Sequence, residues 1–307
     1  MCAHLRVLLA VAALILLCAS GRTATATPLR FFAIDFSSSA TTVLHFSEDG
    51  ALLDTWLSPQ SRYAYGITTF GSSLYVSEYS GGIQEYALDG TFIRDVARLE
   101  RPGGIGLQVI ESDVAGNLYT SSANMPAYKL DQEGTLLATY SHSGIWWPRG
   151  IDAAANGDVY VLDNGSFDMQ IKLHRFHADG SLIDSYVLPE MYHVASMAID
   201  EARNVVYVST STEASVFRYD ISSGVPVFAG TLPAISNIGK MFVEQQSGRL
   251  FTTGVFEVAL DGSGATRIFT EPWSMVAVVA IPIPEPATIA MLPFVMIIAL
   301  KLRTRSR

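Results

Sequence analysis

The residues best suited to chemistry in this 307-residue chain are side-chain oxygens that recur beside short apolar stretches. Glu78, Asn124, Asp163 and Asn164 follow stretches of the Leu-Tyr-Val kind, as does Asp35, while Asp152 and Asp200 close a neighbouring type of stretch. Hard carboxylate and amide oxygens of this sort suit Ca²⁺ or Mg²⁺. The set is uneven, because Thr210 and Thr253 hold the corresponding places further along. Asx residues that cap turns and hairpins fit these positions better. The expectation is therefore no cofactor and no catalytic residue, with Ca²⁺ or Mg²⁺ held by Glu78, Asn124, Asp163 and Asn164 as the alternative.

The histidines add no site. His45, His142, His174, His177 and His193 show neither His-x₃-His nor Glu-x-x-His spacing, and read as solvated or core residues. No Gly-x-Ser-x-Gly elbow, phosphate loop or dinucleotide fingerprint is present. Trp146, Trp147, Tyr192 and the pair Tyr63 and Tyr65 offer flat rings on which a sugar could stack, although such aromatics more often fill a core.

What must position these residues is a repeat. Asp49-Gly50, Asp89-Gly90, Glu133-Gly134, Asp179-Gly180, Ser223-Gly224 and Asp261-Gly262 recur at intervals of roughly 38 to 46 residues, the length of one four-stranded propeller blade. After each such turn comes a first strand, for example Leu52 to Trp56 or Leu136 to Tyr140. A second strand is often opened by glycine: Gly66-Ile67, Gly104-Ile105, Gly150-Ile151. A tight turn such as Asn156-Gly157 suits a two-residue hairpin, and a Leu-Tyr-Val-like third strand follows: Leu74-Tyr75-Val76, Val159-Tyr160-Val161, Val206-Tyr207-Val208. The fourth strand ends on an apolar or aromatic residue, as in Ile83 to Tyr86 and Val216 to Tyr219. β-Branched and aromatic residues dominate, as stacked sheets with both faces covered require. The glycines mark the strand nearest the axis, where neighbouring backbones crowd.

Counting strands predicts closure. The chain begins with only a third and a fourth strand, Phe31 to Asp35 and Thr42 to Phe46, and ends with a first and a second, Ala265 to Phe269 and Ser274 to Ile281. The last strand should complete the first blade, giving an all-β, six-bladed propeller with no open edge. The pattern resembles NHL-type repeats, most clearly in Arg149-Gly150-Ile151-Asp152 and Asp158 to Gly165, and is similar to the lactonase-type six-bladed propellers. That second resemblance implies a divalent ion at the central channel, held by a Glu, Asn and Asp set.

The two ends are of another kind. His4 and Arg6 precede an apolar run from Val7 to Leu17 and then Ala24-Thr25-Ala26, the pattern of a secretory signal peptide over residues 1–26. At the other end Pro284-Glu285-Pro286 leads into an apolar run from Ala287 to Leu300, broken by Pro293 and followed by Lys301, Arg303, Arg305 and Arg307. This run is shorter than the roughly 20 residues of a comfortable transmembrane helix and only just spans, with its basic end cytoplasmic. Residues 283–307 resemble the PEP-CTERM sorting signal. The resemblance implies recognition by an exosortase in Gram-negative bacteria that make exopolysaccharide.

The whole chain carries a formal charge of −9, but Arg6, Arg22, Lys301, Arg303, Arg305 and Arg307 all lie in the end segments, so the body 28–282 is more acidic still. That argues against nucleic acid or anionic lipid as its partner. Cys2 and Cys18 both fall in the leader, leaving the body without a disulfide. Together these features predict an exported binding or scaffold protein of the envelope or matrix. Its expected partners are an exosortase, extracellular polysaccharide or envelope proteins, and the membrane through the tail before processing. A metal-dependent lactonase or esterase is the alternative.

Overall fold

Six sheets of four strands make up the unit Leu29–Ile281. The structure, a computed structural model, describes residues 28–35, 41–57, 63–99, 106–165, 170–189, 191, 193–210, 215–232, 239–253, 256–268 and 275–282. The leader 1–26 and the tail with Pro284, Glu285, Pro286, Lys301, Arg303, Arg305 and Arg307 lie outside these residues, as does Tyr192. Among the described residues no helix is long and apolar enough to cross a membrane.

Blade 1 contains β1 (Leu29–Asp35), β2 (Thr42–Ser47) and β3 (Leu52–Leu57). Blade 2 runs β4 (Ala64–Phe70), β5 (Ser73–Glu78), β6 (Gly82–Ala87), β7 (Phe92–Arg98), and blade 3 runs β8 (Val109–Ser112), β9 (Leu118–Ser121), β10 (Ala127–Leu130), β11 (Leu136–Tyr140). Blade 4 is β12 (Pro148–Ala153), β13 (Val159–Asp163), β14 (Lys172–Phe176), β15 (Leu182–Val187). Blade 5 is β16 (Val194–Asp200), β17 (Val205–Thr210), β18 (Val216–Asp220), β19 (Val227–Leu232). Blade 6 is β20 (Met241–Glu244), β21 (Arg249–Thr252), β22 (Phe256–Val258), β23 (Ala265–Arg267). The last strand, β24 (Met275–Pro282), pairs with β1, so blade 1 reads β24-β1-β2-β3 and the ring closes as the strand count predicts.

Each blade packs on the next through its own apolar cluster, six in all, one per interface. The alternation of side chains along a strand makes this possible. Phe31 and Ala33 of β1 face blade 6, whereas Phe32 and Ile34 face blade 2. β24 divides likewise, with Val278 and Ala280 toward blade 6 and Ala277 and Val279 toward blade 2. The outer strands have one covered side at most, and Leu53, Ile93, Leu136 and Phe228 are exposed there.

The six acidic-Gly or Ser-Gly turns join the third and outermost strands of each blade. Their glycines take φ between 80° and 92°, and each glycine N–H donates to the carbonyl three residues back. That is a type I turn closed by a left-handed residue, which glycine adopts without cost. The Asn156-Gly157 hairpin takes the same form rather than the expected two-residue turn. Only Gly157 has positive φ, at 86°, and Ala154 N–H donates to Asp158 O. Gly150 confirms close approach at the axis: a Cβ there would stand 3.1 Å from the backbone nitrogen of Met197 in the next inner strand. In blade 3 the inner strand begins at Val109, later than the expected Gly104, which lies outside the described residues. Pro282 is the last residue of β24, and the end of a strand tolerates its missing N–H.

Arginines latch neighbouring blades. Arg94 donates to Gln132 O, Arg175 to Gly224 O and Arg218 to Leu260 O, while Arg249 pairs with Glu257 of its own blade and with Glu48 of blade 1 at 2.6 Å. In each case a guanidinium reaches the turn that joins the third and outer strands of the following blade.

Candidate binding site

Inner strands enter the ring from connectors that lie at the same end as the loops after each second strand. Between blades 3 and 4 two such segments, Ser122 to Pro126 and Ser141 to Trp147, enclose a cleft of about 520 Å³. Asn124, Ser141, His142, Ser143 and Trp146 line it, and Trp146 is 48% exposed. A volume of this size is ordinary for a small-molecule or oligosaccharide subsite.

Three of the four residues singled out as metal ligands build this cleft. Asn124, held at φ 60°, donates its backbone N–H to Trp146 O at 2.9 Å. Asp163, fully buried at the end of β13, accepts from the N–H groups of Trp146 (3.1 Å), Trp147 (2.5 Å) and Gly165 (3.0 Å). Burial pushes the Asp163 carboxyl up from its ordinary pKa, and those backbone donors oppose the rise. Asn164 donates its N–H to Trp147 O and accepts Val194 N–H on its side chain at 2.9 Å, tying the connector to blade 5.

Glu78 stands on blade 2, buried, with Oε2 accepting from Ser80 and Oε1 without a partner. The Asp163 and Asn164 oxygens already accept backbone N–H groups, and Glu78 stands on a different blade from them. Among the described residues no group of three or more His, Cys, Asp or Glu is placed to hold a metal ion. Asp200 is buried and paired with Arg203, Asp152 accepts from Ala153 and Ile199 N–H groups, and Asp35, Thr210 and Thr253 are buried.

The other candidates divide between core and surface. His45 stacks on Phe32 at 4.5 Å. His177 and His193 are exposed. Tyr63 is exposed, and the rings of Tyr65 and Tyr79 lie 5.8 Å apart on blade 2. Behind the cleft, His142 rests on His174 with ring centroids 5.6 Å apart.

His174 is fully buried, its Nδ1 bonded to Ser185 Oγ at 2.7 Å and its Nε2 unpartnered. Burial, with the charges of His142 and Lys172, lowers its pKa from 6.5 to about 4. The unfolded chain takes up this proton near pH 6.5 and the folded chain only near 4, so the group's contribution is complete above 6.5 and is lost as pH falls. The loss amounts to on the order of 3 kcal/mol. Asp152, raised by burial to about 7, acts in the opposite sense over the same window. Acid melting of His174→Gln beside the unaltered protein separates the two: the variant should lose less stability between pH 6.5 and 4. An NMR midpoint near 6.5 for the His174 ring would contradict this.

Three charged residues that the sequence does not single out are Glu111 on β8, Arg149 on β12 and Lys240 just before β20. Glu111 feels the charges of Asp152 and Lys240, Lys240 those of Glu111 and Arg149, and Glu111 and Lys240 come from opposite blades of the ring. A charged residue beside or within an apolar, glycine-marked inner strand was the signal that could have found them.

No protein-family model matches the sequence, and the comparison with curated proteins found no match. Solved structures match in fold. A chain from a nidogen/laminin complex gives a TM-score of 0.65 at 14% identity, over 82% of this chain and 98% of that one. A protein of unknown function from Bacteroides caccae gives 0.61 at 12% identity, over 83% and 99%. The WD40 β-propeller domain of Doa1 gives 0.56 at 14%, over 82% and 86%. At such identities the likeness carries the propeller fold alone.

Proposed function

We propose that this chain is an exported, non-catalytic propeller that binds extracellular polysaccharide or envelope proteins and is delivered by exosortase recognition of its tail. The observation that carries the binding reading is the cleft between blades 3 and 4, where a half-exposed indole stands among an amide, two hydroxyls and an imidazole. A sugar ring presents an apolar face to the indole and hydroxyls to the polar groups, and Trp supplies that contact at little entropic cost. The backbone clamp from Asn124, Asp163 and Asn164 holds the platform in place before a ligand arrives, which lowers the cost of binding. Trp146→Ala should weaken oligosaccharide binding tenfold or more with melting unchanged. Equal binding by the variant would remove the cleft from the account.

The matching chain from a nidogen/laminin complex belongs to an assembly between proteins, which is in keeping with an envelope-protein partner. The hydrolase alternative rests on one observation, the unpartnered Oε1 of buried Glu78. Sorting has its own test. Mass spectrometry of protein from an exosortase-bearing host should show loss of residues 1–26 and of the segment after Pro286. Envelope protein that uniformly retains Arg307 would contradict sorting.

A further inference from the structure

We infer that Arg149, beside the cleft, and Lys240, at the same end of the ring, form a carboxylate site, so that the saccharide taken by the cleft is a uronate-bearing one. The inference rests on the cleft reading above. Arg149 sits where β12 enters the ring, between the pairs Pro148↔Asp163 and Gly150↔Leu162. Lys240 precedes β20 and its carbonyl accepts Thr253 N–H, while Gln108 precedes β8 and its N–H donates to Ser121 O. All three therefore stand at the ring end that carries Trp146. From Trp146 to Arg149 is three residues, at most about 10 Å of extended chain, so adjoining rings of one saccharide can reach both.

The guanidinium of Arg149 lies 4.2 Å over the Trp147 ring, and Nη1 donates to Gln108 Oε1 at 3.3 Å. Its Nε is buried and has no partner. Among the described residues neither Arg149 nor Lys240 forms an ion pair, and each cation raises the cost of the other. Glu111, the acidic group whose charge acts on Lys240, is itself pushed well above the usual carboxylate range by burial and by Asp152. Arg149, partly desolvated and without an ion pair among the described residues, is a cation that lacks an anion. A planar carboxylate meets the Arg fork in a bidentate way, and the indole beneath keeps that fork in one plane.

Lys240 supplies a pH signature. Burial and Arg149 lower its pKa and Glu111 opposes them, leaving it at about 7. The amine is thus charged below that pH and neutral above it, so uronate binding should weaken as pH rises from 6 to 8.5.

The test is titration calorimetry of the full chain with an alginate tetrasaccharide and with maltotetraose, a neutral comparison, at pH 6 and 8.5. Alginate should bind at least tenfold more tightly at pH 6. Arg149→Met and Lys240→Met should each remove that advantage while leaving maltotetraose binding as it was. Competition on the unaltered protein does not depend on how a variant folds: free galacturonate should displace alginate at concentrations where galactose does not. Equal affinity for the two tetrasaccharides, or equal displacement by the two sugars, would overturn the carboxylate site and leave the cleft reading standing. Binding of neither tetrasaccharide would overturn both.

Discussion

A chain ending before Met275 is expected to lose its cooperative melting transition and to aggregate. Such a chain lacks β24, which pairs with β1 and supplies Val278 and Ala280 to the interface with blade 6 and Ala277 and Val279 to the interface with blade 2. Burying two valines and two alanines contributes on the order of 5 kcal/mol. That is comparable to the whole net stability of about 5–15 kcal/mol of an ordinary domain. Removal also bares the backbone edge of β1, whose own Phe31, Phe32 and Ile34 are fully buried in the closed ring. An unpaired apolar edge is a template for association. The comparison is calorimetric melting beside the full chain. An unchanged, reversible transition in the truncated protein would place the closure elsewhere.

Asp163→Ala should cost on the order of 3–5 kcal/mol, because it strands three backbone N–H groups that one carboxylate now satisfies. The same change should cost more than tenfold in saccharide binding, since the Trp146 and Trp147 connector loses its anchor. Asp163→Asn separates this role from a metal-ligand role. Both tryptophan N–H groups bond to Oδ1, which an amide oxygen replaces, while Gly165 N–H on Oδ2 would face an amide NH₂. The Asn variant should therefore melt lower yet keep most of its binding. If Asn and Ala abolish binding alike, and added Ca²⁺ or Mg²⁺ restores it in neither, the clamp is not what positions Trp146.

The sequence read well wherever the cause of structure is local. A glycine at positive φ and an alternation of apolar residues need only neighbouring residues, so the six turns, the strand order and the closure by the last strand could be counted directly. Turn type was less legible, because Asn156 and Gly157 permit two geometries and the hydrogen bonds of the flanking strands choose between them. The inner strand of blade 3 was placed too early because Gly104 imitates the glycines of its neighbours, whereas the strand is fixed by pairing with β9.

The candidate site was legible only in part. Asn124, Asp163 and Asn164 stand out as polar groups at the ends of apolar strands, but their role depends on which N–H groups face them. Trp146, Trp147 and Val194 lie 16 to 30 residues away in sequence from the side chains that bind them. Nothing local distinguishes a clamp from a cation ligand there. Glu111, Arg149 and Lys240 do not stand out for a related reason: whether a lone charge on or just before an inner strand meets solvent, a neighbouring blade or the axis is settled by the ring and not by the strand.

The most direct test of the central claim, a propeller that binds and does not turn over its ligand, is titration calorimetry of the metal-stripped full chain with an oligosaccharide and then with a lactone. The account predicts heat that saturates with oligosaccharide at one site in the absence of Ca²⁺ or Mg²⁺, and no continuing heat with lactone after either ion is restored. Absence of saccharide heat, together with a steady heat of lactone hydrolysis that appears on adding the ion and vanishes in Glu78→Gln, would contradict it.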